Sequence, residues 1–410
     1  MLKKNLLTII FFLTFGSYAG AQSLDFYLKQ GVENSPLLKE LNNQLLTGTL
    51  DSLLTRATFK PQVNQVSQAL YAPTAKNFGY DEAITNGGNY AASLNVMQPL
   101  FNKRIKEGQF RDNSLANQTI VVNAKITESD LRQGITAQFL TAYADYQQLQ
   151  FLQTTLKLLQ DEQEVVKLLV NKGIYLQTDR MNLALSITAQ EVGIKQAWIQ
   201  YKNSLALLNF ICGVTDQTSA RLDKPDLTLQ NHFDINSSPI MTKFKIDSLK
   251  NINSKLLIDL NYRPKLSAFA DAGFMAVALE NIPHNFGTSF GLNFSLPVYD
   301  GKQRKLMKDK TLLAEDTRMN YKKTYSSQYK QRLSQLSEQL KLTDELILGI
   351  RNQLSEQEKL ISLYKVEIEK GLVRFLDFLT AVNNYTLVKN NLTVSEMNRL
   401  QIINQMNYLK

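Results

Sequence analysis

Few residues in this chain have the chemistry to act as a nucleophile, a base or a metal ligand. Its 410 residues contain two histidines, His232 and His284, and one cysteine, Cys212. They form no cluster at metal-ligand spacing, and no glycine-rich loop is placed to cradle phosphate. Acidic residues are plentiful, but they fall on surface phases of helices. The sequence therefore assigns no catalytic residue, no cofactor-binding residue and no metal ligand, and it predicts a protein that is not an enzyme. The chemistry left is that of capping and charge pairing. Asp179 follows Gly173, and Asp377 follows Gly371, by six residues each. Glycine suits the left-handed cap after a helix, and aspartate is favourable at the N-terminus of the next one. Around the second of these turns, Tyr364, Glu367, Arg374 and Asp377 carry the donors and acceptors for polar links.

Long helices must position those turns. No proline interrupts Phe101 to Asn171, where Leu131, Ile135, Phe139, Ala142, Tyr146, Leu149, Leu152, Leu156 and Leu159 recur at an average step near that of a helical seam. Later, Leu333, Leu336, Leu340, Thr343, Ile347, Ile350, Leu354, Gln357, Ile361, Tyr364 and Ile368 step strictly by three and four. A helix of about 70 residues reaches on the order of 100 Å, far beyond the needs of a globular core. The returning helices, Asp179 to Ile211 and Asp377 to about Leu409, have about half that length. Leu24 to Thr58 and Pro239 to Tyr262 have roughly the missing length, and stacked end to end with the returning helices they match the long ones.

The chain is a duplication. Pro99-Leu100-Phe101 returns as Pro297-Val298-Tyr299, Lys172-Gly173-Ile174 as Lys370-Gly371-Leu372, and Asp179 as Asp377, all shifted by 198. Phe59-Lys60-Pro61-Gln62-Val63 resembles Tyr262-Arg263-Pro264-Lys265-Leu266 at a shift of 203, so the first strand pair carries the longer loop. Each copy reads as helix, two strands and a long helical hairpin: 22–213 for the first and 239–410 for the second, with 214–238 a surface crossover. Residues 1–21, with Lys3 and Lys4, an apolar run from Leu6 to Phe15 and Ala19-Gly20-Ala21, read as a signal peptide. The net charge of +9 reads as a solvated surface dispersed along the helices, and no nucleic-acid partner is expected.

The strand segments alternate. Leu266, Ala268, Ala270, Ala272 and Phe274 share one face, as do Phe290, Leu292, Phe294 and Leu296 in a strand read from Ser289; Tyr90, Ala92, Leu94 and Val96 do so in the first copy. The stretch from Gln62 to Tyr71 is far less regular. These lengths and this alternation suit strands with lipid on one side and water on the other. Four strands cannot close a barrel, and strands in a bilayer must close, so partner chains are required. Eight strands from two chains fill their interior; twelve from three begin to hold water, which favours a homotrimer.

The duplicated order, Gln98-Pro99-Leu100-Phe101-Asn102 with its echo Leu296-Pro297-Val298-Tyr299-Asp300-Gly301, Gly371-Leu372-Val373-Arg374-Phe375-Leu376-Asp377 and the early Glu33-Asn34-Ser35-Pro36-Leu37 resemble the outer-membrane efflux protein family, the TolC-like channels. The resemblance covers essentially the whole chain after the signal peptide. It implies a mostly α fold with a small β part, in which long antiparallel coiled-coil helices form an α-barrel across the periplasm. Four strands per chain would enter a trimeric twelve-stranded barrel in the outer membrane, in contact with its lipid. A passive conduit of a tripartite efflux or type I secretion system is implied, with a periplasmic adaptor and an inner-membrane transporter as partners. The family's tip motif maps onto Gly173 with Asp179 and Gly371 with Asp377. Where the family often has a serine three residues after the glycine, this chain has Leu176 and Arg374. Tyr364, Glu367, Arg374 and Asp377 are then candidates for a gate that holds neighbouring hairpins closed. The competing reading is a periplasmic coiled-coil adaptor or structural interaction protein, which predicts a single hairpin flanked by small β domains.

Overall fold

The computed structural model describes residues 22–73, 78–79, 88–215, 221–230 and 234–409. The signal peptide read at 1–21, and His232, lie outside the described residues. The elements are α1 (Leu24–Asn34), α2 (Pro36–Thr58), β1 (Gln62–Tyr71), β2 (Gly88–Leu100), α3 (Lys103–Asn171), α4 (Gln177–Cys212), α5 (Pro239–Asn261), β3 (Lys265–Ala276), β4 (Phe286–Ser295), α6 (Gln303–Glu369) and α7 (Phe375–Asn407). Short 3-10 turns stand at Ile235–Ser237 and Leu279–His284. The lead-in read as one helix from Leu24 to Thr58 is two, because Pro36 has no N–H to continue α1 and instead opens α2. Pro239 opens α5 in the same way, with the Ser238 hydroxyl accepting from the Ile240 N–H at 3.2 Å.

The strands form one antiparallel sheet in the order β1-β2-β3-β4. Its central pairing joins the two sequence copies, with Leu100 opposite Leu266 and Tyr90 opposite Ala276. The irregular first segment is a full strand: β1 pairs with β2 from Gln62 opposite Met97 to Tyr71 opposite Gly88. Backbone pairing holds it where side-chain alternation is weak. β4 begins at Phe286, earlier than its alternation suggests, because it pairs with β3 as far as Phe274. The apolar face carries Phe290 opposite Ala270 and Phe294 opposite Leu266. Phe290 is 89% exposed and Phe294 64%, so this part of the greasy face has no cover among the described residues. On the other face the Ser289 hydroxyl donates to Asp271.

The chain divides into two compact units, each drawing on both copies. The first takes the chain up to Ser35 with Glu128–Phe233 and Gln331–Leu409. Here the helical seams are buried. Ile135, Phe139, Ala142, Leu149 and Leu159 of α3 and Leu336, Ile347, Ile350, Leu354, Ile361 and Ile368 of α6 are each under a tenth exposed. The crossover is less of a surface connection than its polarity suggests, since Leu222 enters the core around Tyr27, Phe139 and Leu208 and Pro225 is buried. Asn404 and Gln401 of α7 donate to the carbonyls of Gln133 and Ala137 on α3, tying the two hairpins together by side-chain amides.

The second unit takes Pro36–Thr127 and Asp234–Lys330, and so contains the sheet. Leu115 and Val122 of α3 pack with Ile246 of α5. Glu315 of α6 accepts from Ser248 and Asn251 of α5 and from the Arg318 guanidinium. The Arg318 hydrogen bonds, with those of Asn251 and Ser248, hold the Glu315 carboxyl down at about 2.

Candidate functional site

The two turns of the hairpins, α3 to α4 and α6 to α7, lie in the first unit and share three backbone hydrogen bonds at equivalent positions. Gly173 has φ +74° and Gly371 has φ +68°, the left-handed region that a side chain would strain. The Gly173 and Ile174 N–H groups donate to Val170 and Leu169 carbonyls, both at 2.9 Å. The Gly371 and Leu372 N–H groups donate to Ile368 and Glu367 carbonyls at 2.9 and 3.0 Å. These satisfy carbonyls that a helix end otherwise leaves open. Each returning helix then starts with the Asp179 or Asp377 N–H donating to the carbonyl of Leu176 or Arg374 at 3.0 Å.

The side chains break the symmetry. Asp179 reaches back and accepts from the Leu176 N–H at 3.0 Å, the carboxylate half of a capping box. Asp377 is turned to Arg374 instead, accepting from its Nε and Nη2 at 3.1 Å each. The Arg374 side chain is 83% exposed, so this pair stands in water. Of the four residues read as gate candidates, the fold brings Arg374 and Asp377 together. Tyr364 is half-buried against the core beneath the turns, and Glu367 is exposed, its carbonyl serving the turn.

Two contacts that link the hairpins are not evident in the sequence pattern. The Tyr175 hydroxyl donates to the Val373 carbonyl at 2.8 Å, and its ring lies 6.2 Å from that of Phe375, which in turn lies 5.7 Å from Phe378. Burial, and then Asp179, push the Tyr175 phenol up. Deeper in, Lys365 of α6 stands 3.7 Å from Glu162 of α3, whose side chain is only 9% exposed. Burial pushes the Glu162 carboxyl up more than Lys365 pulls it down, and Glu369 adds to the rise. Neither contact leaves a local signal in the sequence, because its partners stand some 200 residues apart.

Around this core the turns expose large apolar side chains. Leu176 is 69% exposed and Leu372 74%, with Ile174, Met181, Leu185 and Leu376 also open to solvent. Among the described residues no group of three or more His, Cys, Asp or Glu could hold a metal ion, and Cys212 is buried, its thiol pushed up to about 12.

The backbone course that presents these turns has known counterparts. The Campylobacter jejuni CmeC outer membrane channel superposes with a TM-score of 0.74 at 12% identity, over 94% of this chain and 85% of that one. The chain has the fold of these channels. The Vibrio cholerae outer membrane protein VceC matches equally, with a TM-score of 0.74 at 12% identity over 94% and 95% of the two chains. The Neisseria gonorrhoeae MtrE outer membrane channel, crystallised in its open state, matches with a TM-score of 0.71 at 12% identity over 94% and 88%. No family model and no curated protein sequence matches the chain. At such low identity the likeness lies in the order and pairing of elements: the TolC-like fold expected from the duplication is present, with both strand pairs in one sheet. A periplasmic adaptor with a single hairpin does not have this arrangement. The fold's turns are where the Gly173 and Gly371 motifs stand.

Proposed function

We propose that this chain is one protomer of a trimeric outer-membrane channel, a passive conduit for substrates driven by an inner-membrane pump. The observation that carries the proposal is the sheet. Its strand β4 exposes an apolar face of Phe286, Phe290, Leu292 and Phe294, while β1 and β4 each have one edge without a strand among the described residues. No helix of the described residues is long and apolar enough to cross a membrane, so strands are the elements available to do so. Backbone groups facing lipid need partners, and β1 of one copy against β4 of the next supplies them. Three copies give twelve strands, enough for a water-filled bore.

In this reading the long helices of three copies form a tunnel through the periplasm. The hairpin turns, with Gly173, Asp179, Gly371 and Asp377 and the leucines beside them, receive a periplasmic adaptor of a tripartite efflux or type I secretion system. Tyr364, Glu367, Arg374 and Asp377 form the gate, with the exposed Arg374 and Asp377 pair exchanging partners between neighbouring hairpins. The test starts from cells expressing the full chain. Recovery in the outer-membrane fraction, with a detergent-extracted mass of three chains and conductance in planar bilayers, is the expected result. Recovery as a soluble protein without detergent overturns it. For the gate, an Arg374→Ala, Asp377→Ala double variant should raise the conductance of the closed state, and an unchanged value removes the gate role.

A further inference from the structure

The excess of positive over negative charge is not spread evenly along the helices. In the segments that flank the four strands on their helix side, residues 56–61, 101–112, 256–265 and 296–310, thirteen Lys and Arg stand against five Asp and Glu, where the whole chain has an excess of nine. Within the basic collar is a built pocket. A cavity of about 310 Å³ between the start of α3 and the end of α5 is lined by Arg104, Arg111 and Arg263, with Leu256 and Leu260 as its apolar wall. Glu107 is the one acidic residue in that lining. Asn253 also lines it, fully buried; its Nδ2 donates to the Gly108 carbonyl at 2.9 Å, and its Oδ1 is buried with no hydrogen-bond partner.

The level of this pocket is set by the strand register. Arg104 follows the last residue of β2 by four and Arg263 precedes Leu266 by three, and Leu100 and Leu266 are paired. The three arginines therefore line a cavity just beyond the end of the sheet. Guanidinium groups bind phosphate through parallel N–H donors and shed water more readily than ammonium, and basic pockets beside membrane-spanning elements suit anionic headgroups. The lining has charge left for the phosphate, an apolar wall for glycerol and the first acyl carbons, and an unused acceptor in Asn253 for a headgroup hydroxyl.

We propose that this pocket is a binding site for the headgroup of an anionic phospholipid in the leaflet on the helix side of the sheet. The inference rests on the sheet lying in a bilayer, and it adds a lipid partner that fixes the depth of insertion. Three arginines at the membrane surface each strengthen attraction to anionic lipid, so removing all three should weaken it on the order of 100-fold.

The test uses the full chain extracted from membranes and probed by native mass spectrometry with dioctanoyl phosphatidylglycerol, dioctanoyl phosphatidylcholine or inorganic phosphate. The wild type should retain phosphatidylglycerol in preference to phosphatidylcholine, and excess inorganic phosphate should not displace it. An Arg104→Gln, Arg111→Gln, Arg263→Gln variant should lose that preference, while Lys322→Gln, Lys323→Gln on the exposed part of α6 should keep it. The three arginines are exposed, so the variant should assemble, and an unchanged melting curve checks this. An Arg→Lys triple variant that folds should bind more weakly than the wild type yet more tightly than the glutamine variant. Retention unaltered in the glutamine variant, equal retention of phosphatidylcholine, or full displacement by inorganic phosphate each overturns the lipid site. A chain that never enters the membrane overturns the channel reading as well, and fractionation separates the two failures.

Discussion

The two hairpin turns share a backbone and differ in what locks it. Both use a left-handed glycine and the same set of carbonyl acceptors displaced by 198 residues. Beyond the turn, however, α7 buries Phe375 and Phe378, while the equivalent positions of α4 are Gln177 and Arg180, both exposed. The long helices α3 and α6 both line the core beneath the turns, but of the two returning helices α7 gives it more, with Phe375, Phe378, Leu379, Ala381 and Val382 against Leu183 and Ile187 of α4. Asp179 caps its own helix, whereas Asp377 is engaged by a solvent-exposed arginine. A duplicated turn can therefore keep its fold while one copy is specialised for packing and the other left with an open, more adaptable surface.

The largest effect expected from this asymmetry is in the core. Phe378→Ala should cost about 3–5 kcal/mol by opening a cavity, while Arg180→Ala at the matching position of the first hairpin should change stability by no more than about 0.5 kcal/mol. Melting followed by the helical circular dichroism signal compares the two directly, and equal losses would erase the asymmetry. Next come the glycines. Gly173→Ala and Gly371→Ala should each cost about 1–2 kcal/mol for holding alanine in the left-handed region. Gly371→Ala should cost more, because its new Cβ would stand 2.5 Å from Ile174 Cγ2, whereas that of Gly173 meets open space. Protease nicking at the turns should follow the same order.

The aspartates provide a finer contrast. Asp179→Ala removes a cap worth about 1 kcal/mol, whereas Asp377→Ala breaks an exposed pair worth under about 1 kcal/mol and should leave melting almost unchanged. A larger loss at Asp377 would mean that Arg374 is held more firmly than its exposure indicates. The smallest effect belongs to Glu162. Its carboxyl holds a proton more tightly folded than unfolded, so it favours the fold at acid pH, and that contribution is lost as pH rises through the raised value. Glu162→Gln should therefore melt slightly above the wild type at neutral pH and converge with it below the ordinary glutamate range. A variant that melts lower at neutral pH would show that the ion pair with Lys365 outweighs the cost of burial.

Much of this was legible before any coordinates. The step of three and four from Leu333 to Ile368 marks residues that the structure buries or half-buries, because a helix face repeats with that period whatever it packs against. The glycine turns were legible for the same kind of reason: φ above zero is a local demand. The split of the lead-in at Pro36 is a local consequence of its missing N–H, although the length of the segment suits one continuous helix. β1 was weak in pattern because its strand character comes from ten residues of backbone pairing with β2. The Tyr175 to Val373 bond, the Glu162 to Lys365 pair and the grouping of Arg104, Arg111 and Arg263 left no trace, because each joins residues from separate helices or turns.

What the sequence by itself determined is local and periodic: two copies in one register, strands that alternate, helices with a continuous seam and turns that require glycine. Those features follow from dihedral preference and from the period of each element, which neighbouring residues settle among themselves. Only the tertiary structure decided which returning helix fills more of the core beneath the turns and which charges meet. It alone decided that the two strand pairs form one sheet. Those outcomes depend on the approach of segments far apart in the chain, and no pattern within a single segment encodes that distance.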